Sequence, residues 1–425
     1  MIVVVEPSRV LPLVSISIAF RAGAASDPVG KEGLARVALR MLRRGARGRT
    51  ANEVEDAIDT LGGEIGTDVS YGASWVGGEV ILRSVDAYID LVAGLLAEPT
   101  FDEAELGRLL RETQAEIVEA RDNDRGLAAR ALRRALFAGH PYGRRASGSL
   151  ASVGSITRDD VVAFHRKHLV RANAVVAISG HVDEAQGHAL AQRLLAGLPE
   201  GEPTPYDIPP MPPTKGRRLV FVDKPQRTQT QLYLGGQGTH PRDDDHIALH
   251  VANTVFGGTF TARLMREVRS KRGWSYGASS RLPIDRIREA YSIWTAPAAG
   301  DAAACLGLEL GLLEELRENG VTPEELTFAQ SYLARSQVFD VDTASKRVHQ
   351  RLESVVLELP DGYHGRYVEH VRGVTKAQAD AAVKLRLSSD DLVIALVGTH
   401  ADVGAAIEAA IPRLDSVEVV PFDLE

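Results

Sequence analysis

Two arginines four residues apart, Arg36 and Arg40 in GLARVALRM (33–41), are the first residues of this chain spaced to act together. On a helix, positions i, i+3 and i+4 share one face, which puts Leu39 beside them. Guanidinium groups stay protonated, have no lone pair to give, and repel a divalent cation. A second helical pattern, RETQAEIVEARD (111–122), sets Glu112, Glu116 and Glu119 on one stripe. Such a stripe is either a counter-charge for a basic face or an ordinary solvated surface. Further on, VRSKRGWSYG places Arg269 and Tyr276 seven residues apart. An arginine fork can grip a peptide carbonyl or a terminal carboxylate, and a tyrosine hydroxyl can donate to a developing oxyanion. A structural arginine and a half-buried strand tyrosine would have the same spelling.

Other chemistries leave little trace. His246 and His250 have i, i+4 spacing, but no acidic base follows them, and Asp243, Asp244 and Asp245 read as a helix N-terminus. His165 and His168 read as surface histidines of an amphipathic helix. Cys305 lies in the apolar run CLGLELGLLEEL and reads as a small core residue. There is no P-loop.

The elements that must position these residues come in two sets. The chain has 425 residues, too many for one ordinary core. EGEPTPYDIPPMPPTKG (200–216) holds six prolines in 17 residues and reads as an extended tether. It separates an N-terminal domain, 1–199, from a C-terminal domain, 217–425. The order of elements repeats across it. LVSISIAFRAG (13–23) and TQLYLGGQGT (230–239) alternate like strands, each followed by a helical pattern, 31–44 and 245–258. Segments rich in Gly, Tyr, Ser and Trp follow, at 70–82 and 274–283, the second expected to begin a strand at Trp274. Helical pairs come next at 85–123 and 301–337, and apolar strands at 173–183 and 391–402. Strands mixed with long helices, without strict βαβ alternation, predict two homologous α+β domains, each an antiparallel sheet covered by helices.

Composition narrows the function. Net charge is −8, which disfavours a duplex-binding protein; the basic run RMLRRGARGR (40–49) reads as a solvated helix end and loop. No apolar run is long enough to span a bilayer. A single cysteine rules out an internal disulfide framework and fits a cytoplasmic protein, or a periplasmic one whose signal segment has been removed. MIVVVEPS reads as a strand and a turn.

In sum these segments resemble the insulinase, pitrilysin and mitochondrial-processing-peptidase family of zinc peptidases over essentially the whole chain. The resemblance is carried by LVSISIAFRAGAASDPVGKEGLARVALRML, HPYGRRASG (140–148), NAVVAISGHVD and FGGTFTARLMREVRSKRGWSYGAS (256–279). It implies a processing-peptidase-like pair of domains around a chamber, and a zinc site built from H-x-x-E-H on a helix plus an acidic ligand from a later helix. Here Arg36 and Arg40 stand at the histidine positions and Leu39 at the glutamate position, so no zinc is expected in this chain. Glu116 or Glu119 falls in the third-ligand region, and a salt bridge to Arg36 or Arg40 would replace the metal. The resemblance also makes Arg269 and Tyr276 the family's substrate-binding pair. FGGTF is too short for the glycine-rich loop of the mitochondrial non-catalytic subunit, which argues against a reading as the mitochondrial protein. The implied role is a non-catalytic subunit of a heterodimer. A homologous partner would bear H-x-x-E-H and the zinc, peptide would lie between the two, and no peptidase activity is expected from this chain alone. A homodimer would serve in the partner's absence. The alternative is a scaffold or peptide-binding protein with no proteolytic role.

Overall fold

The computed structural model describes residues 1–424 and divides into two compact units. Unit 1 comprises Met1–Ile117, Arg144–Ile208 and Val338–Leu359; unit 2 comprises Val118–Gly143, Pro209–Gln337 and Pro360–Glu425. The units therefore do not follow the 1–199 and 217–425 halves. Each contains one helix from the other half of the sequence.

In unit 1 the strands are β1 (Ile2–Pro7), β2 (Leu13–Phe20), the short ribbon β3 (Gly45–Ala46) and β4 (Arg49–Thr50), β5 (Gly66–Val69), β6 (Ser74–Ile81) and β7 (Ala174–Gly180). The five-stranded sheet runs β1-β7-β2-β6-β5. Its β7-β2-β6-β5 portion is antiparallel, as expected, but β1 joins β7 in parallel, so the sheet is mixed. Period-2 alternation assigns the faces. Val14, Ile16, Ile18 and Phe20 of β2, with Val176 and Ile178 of β7, enter the main core against helices Leu34–Met41, Val85–Ala97 and Glu184–Leu195. Val175 and Ala177 point to the other face and pack with Val348, Leu352 and Val356 of helix Ala344–Val356.

Unit 2 is built from β8 (Arg217–Asp223), β9 (Gln231–Gln237), β10 (Ala278–Arg281), β11 (Ala290–Thr295), β12 (Leu392–Gly398) and β13 (Leu414–Pro421), in the order β10-β11-β9-β12-β8-β13. The β10-β11-β9-β12 portion is antiparallel, and β12-β8-β13 is parallel. One face carries Phe221, Leu234 and Ile394 against helices His246–Asn253 and Ala302–Asn319. Helix Asp124–Leu136 packs on β12, β9 and β8. Gly235 makes room for it, because a Cβ there would stand 3.0 Å from the Leu132 side chain.

Residues 201–215 have no regular secondary structure, as six prolines dictate. The backbone N–H of Thr204 donates to Asn173 Oδ1 (2.6 Å) and Met211 is buried, so the segment is extended but anchored. Among the described residues no helix is long and apolar enough to cross a membrane.

Candidate functional site

Helix Leu34–Met41 is set by its start. Gly33 takes the left-handed conformation (φ 97°) where a Cβ would press on the Ser147 and Gly148 backbone. Buried Asp27 accepts from Gly33 N–H and Ala35 N–H, each at 2.8 Å, satisfying two donors of the helix end. Arg144 reaches back to the carbonyls of Asp27 and Ala25. Leu34, Ala35, Val37, Ala38, Leu39 and Met41 are buried, and the periodicity leaves Arg36 and Arg40 on the open face.

Both arginines converge on Glu116 of helix Glu103–Glu119. Arg36 Nη2 donates to Glu116 Oε2 at 2.9 Å. Arg40 forks onto the same carboxylate, at 3.1 Å to Oε2 and 2.9 Å to Oε1, and also donates to Thr113 Oγ1 at 3.2 Å. Glu119 is exposed at the helix end. Leu39 is fully buried beneath the pair. No zinc site fits these residues. Two permanent cations occupy the histidine positions, a hydrocarbon occupies the position of the base, and the remaining acid is already bonded to the cations.

The run 40–49 is not simply solvated. Arg43 pairs with Glu55 and donates to the Ile65 carbonyl; Arg44 pairs with Glu112 at 2.6 Å; Arg47 pairs with Glu98 at 2.9 Å. Together Arg36, Arg40, Arg43, Arg44 and Arg108 line a cleft of about 750 Å³, whose opposite wall is β5. Local patterning could not reveal this, because each partner carboxylate comes from a separate element.

Arg269 and Tyr276 lie together in unit 2. Arg269 sits in a π-helical turn, Met265–Ser270, where Lys271 N–H reaches back to Arg266 O at 3.0 Å. Gly273 (φ 68°) ends the turn. The expected strand begins at Ala278 rather than Trp274. Ser275 Oγ bonds to the Gly277 backbone and accepts from Ala296 N–H, which holds 274–277 in a local turn instead of a ladder. Tyr276 is 84% exposed. The Arg269 guanidinium carbon stands 4.5 Å from its ring centroid and 4.6 Å from that of Phe260, itself 70% exposed. Stacking orients the guanidinium and leaves its N–H groups without a protein acceptor among the described residues. Phe260 was visible in the sequence only as the last residue of FGGTF, a turn segment with no stated role.

The histidine pairs resolve as structural. His246 lies between the hydroxyls of Thr239 (2.8 Å) and Tyr363 (2.9 Å), and His250 Nδ1 meets the Tyr367 hydroxyl at 2.9 Å. Burial lowers both to about 4, so they are neutral. His168 is buried against Thr204, and His165 bonds the Leu96 carbonyl, so these are not surface histidines. Cys305 is a buried core residue.

Comparison with known proteins follows the geometry. The insulinase (peptidase family M16) model matches residues 2–149, and the peptidase M16 inactive-domain model matches 155–333. The crystal structure of a peptidase M16 inactive domain from Pseudomonas fluorescens aligns with a TM-score of 0.87 at 27% identity, covering 93% of this chain and 95% of that one. An uncharacterized zinc protease of Mycobacterium bovis is 27% identical over 405 residues, 91% of this chain and 88% of its own. The non-peptidase homolog YmxG of Helicobacter pylori is 23% identical over 398 residues, 93% of this chain and 91% of its own. With the strand and helix order of those domains, and with arginine and leucine where the metal-binding helix would carry its histidines and glutamate, the chain belongs to the insulinase family, peptidase family M16.

Proposed function

We propose that this chain is the non-catalytic subunit of a two-chain zinc peptidase. A homologous partner carries H-x-x-E-H and the zinc; this chain, which holds no cofactor of its own, contributes half of the chamber wall and the Arg269/Tyr276 pair. The observation that carries the reading is the contrast between the two sites. The Arg36/Arg40 face is closed onto Glu116, whereas Arg269 is held by stacking alone, with its hydrogen-bond donors and the Tyr276 hydroxyl presented outward. A buried structural arginine would spend those donors on carbonyls or carboxylates, as Arg217 does with Ser389 O, Pro412 O and Glu314. In the proposed role Arg269 grips a carbonyl of an extended peptide, and Tyr276 donates to the oxygen that gains charge during attack.

The test is cleavage of a quenched fluorescent peptide by this chain, by the H-x-x-E-H chain encoded nearest to it, and by the mixture. The chain alone is expected to be silent. The mixture is expected to exceed the partner's own rate and to stop with a chelator. Arg269→Ala is expected to lower the mixture's kcat/KM at least tenfold; full activity from that mixture would remove Arg269 from the site. A scaffold or peptide-binding protein without proteolytic role is the second reading, favoured by the similarity to a protein described as a non-peptidase homolog. Silence in the mixture with no complex formed would select it.

A further inference from the structure

The face of the unit 1 sheet turned away from the main core is apolar along most of its length and polar across one row. Helix Ala344–Val356 covers the apolar part, Val4, Ala19, Val175 and Ala177. Two residues further along the strands, the register sets Glu6, Ser179, Ser15 and Glu79 side by side across β1, β7, β2 and β6. Registered side chains share a face, so these four form one polar row. The helix begins above that row and leaves it open. Ser15, Ser179 and Glu79 line a cavity of about 560 Å³, and Thr343, Ala344 and Arg347 border it from the helix start.

The charges around this cavity do not cancel. Its only lining cation, Arg347, is spent on Glu6 and on the Val341 carbonyl, each at 2.8 Å. Asp342 pairs with Lys346 at 3.0 Å, and Thr343 Oγ1 accepts from the Lys346 N–H at the helix start. Arg9 does not line the cavity, although Ser8 and Val10 on either side of it do. Glu79 Oε1 accepts from Ser15 Oγ at 2.7 Å, and its Oε2 is left over. Neither Glu79 nor Glu64, a second lining carboxylate, has an ion pair among the described residues. Between Glu6 and Ser15, Ser179 is 1% exposed, and its hydroxyl has no hydrogen-bond partner among the described residues. An enclosed hydroxyl is costly to leave unpaired, and the direction open to this one is the cavity. Val10, Leu11 and Leu13 add an apolar border, with Val10 86% exposed.

We propose that this cavity binds a primary ammonium group carried on an aliphatic stem. An ammonium brings three donors and no acceptor. They meet Glu79 Oε2, the Ser179 hydroxyl and the Glu64 carboxylate, while the stem lies along Val10, Leu11 and Leu13. An anion would face two carboxylates without a counter-charge, and a neutral polyol would satisfy Ser179 but leave Glu79 unanswered. A free diamine, a lysine side chain and the amino end of a chain all present the required group. The site lies wholly within unit 1 and needs no catalytic partner.

The test is a methyl-detected NMR titration of the full-length chain, read at Val10, Leu11 and Leu13. The probes are cadaverine, Nα-acetyl-lysine amide and leucinamide, with the uncharged diol of cadaverine's length as control. The amines are expected to shift these methyls in the millimolar range, as ligands of so few atoms allow, and the diol is expected to leave them in place. The tightest amine identifies the source: cadaverine a free diamine, the lysine derivative a side chain, leucinamide a chain terminus. Glu79→Gln is expected to weaken that amine at least tenfold, and Ser179→Ala several-fold. Arg347→Gln removes the lining cation and leaves Glu6 only its longer contact with Arg351, at 3.7 Å. It should therefore tighten the amine several-fold, a gain that misfolding cannot imitate. Equal shifts by the diol, unchanged affinity in Glu79→Gln, or no response to any amine would overturn the site.

Discussion

At the residue scale, the positions that decide this protein's chemistry differ in how firmly the fold holds them. Arg36, Arg40 and Glu116 are a quarter to two-fifths exposed, so their ion pairs sit in solvent-screened surroundings. Partly exposed pairs of this kind contribute little. Arg40→Gln is expected to cost no more than about 1 kcal/mol of stability. Leu39 is the opposite case. Leu39→Glu would restore the acid of the family motif on a fully buried side chain, at a cost of about 3 kcal/mol or more. Chemical denaturation of the two variants checks both, and near-equal losses would show that the face is not divided as described. This division was legible beforehand, since helical periodicity alone separates Arg36 and Arg40 from the apolar positions around them. The partners of Arg43, Arg44 and Arg47 were not legible, because Glu55, Glu112 and Glu98 are brought to them by elements that local sequence does not link. Phe260 was missed for a similar reason: it lies nine positions before Arg269, and local pattern does not link the two.

At the element scale, helix Ala302–Asn319 carries a conflict inside the unit 2 core. Glu309 is fully buried, and neither carboxyl oxygen has a hydrogen-bond partner of good geometry, although the nearby Thr295 hydroxyl offsets part of the burial. Loss of solvation raises this carboxyl from the ordinary 4.5 to about 8. In the folded chain it therefore keeps its proton at neutral pH, while in the unfolded chain it is ionised. Stability from this group is complete below about pH 4.5. It falls by about 1.4 kcal/mol per pH unit until the folded carboxyl ionises near 8. Urea midpoints measured from pH 5 to pH 8.5 should decline, and Glu309→Gln should flatten that decline. An unchanged slope in the variant would mean that another group sets it. In the sequence Glu309 reads as one more polar residue of an apolar helix, because burial on every side depends on the sheet it meets. The antiparallel core of each sheet was foreseeable from the lack of a strict βαβ order. The parallel pairings β1-β7 and β12-β8-β13 were not, because a strand's pattern fixes which side chains face inward but not the direction of its neighbour.

At the scale of the whole molecule, the proline-rich segment marks the middle of the sequence but not the border of the folded units. Helix Asp124–Leu136 belongs with the second sheet, and helix Ala344–Val356 belongs with the first. A chain cut anywhere in 200–216 would therefore leave each fragment holding a helix that the other needs. The first fragment alone would bare Val4, Ala19, Val175 and Ala177, and the second alone would lose the helix that packs on β12 and β9. Limited proteolysis in that segment should yield two bands on a denaturing gel and one peak at the intact mass by size exclusion. Separate elution of the halves would contradict the exchange. The two helices work like a pair of clasped hands. A gene split at the obvious seam would yield two products that mature only together, and a recombination that replaced one half would have to supply a helix suited to a sheet it had never met.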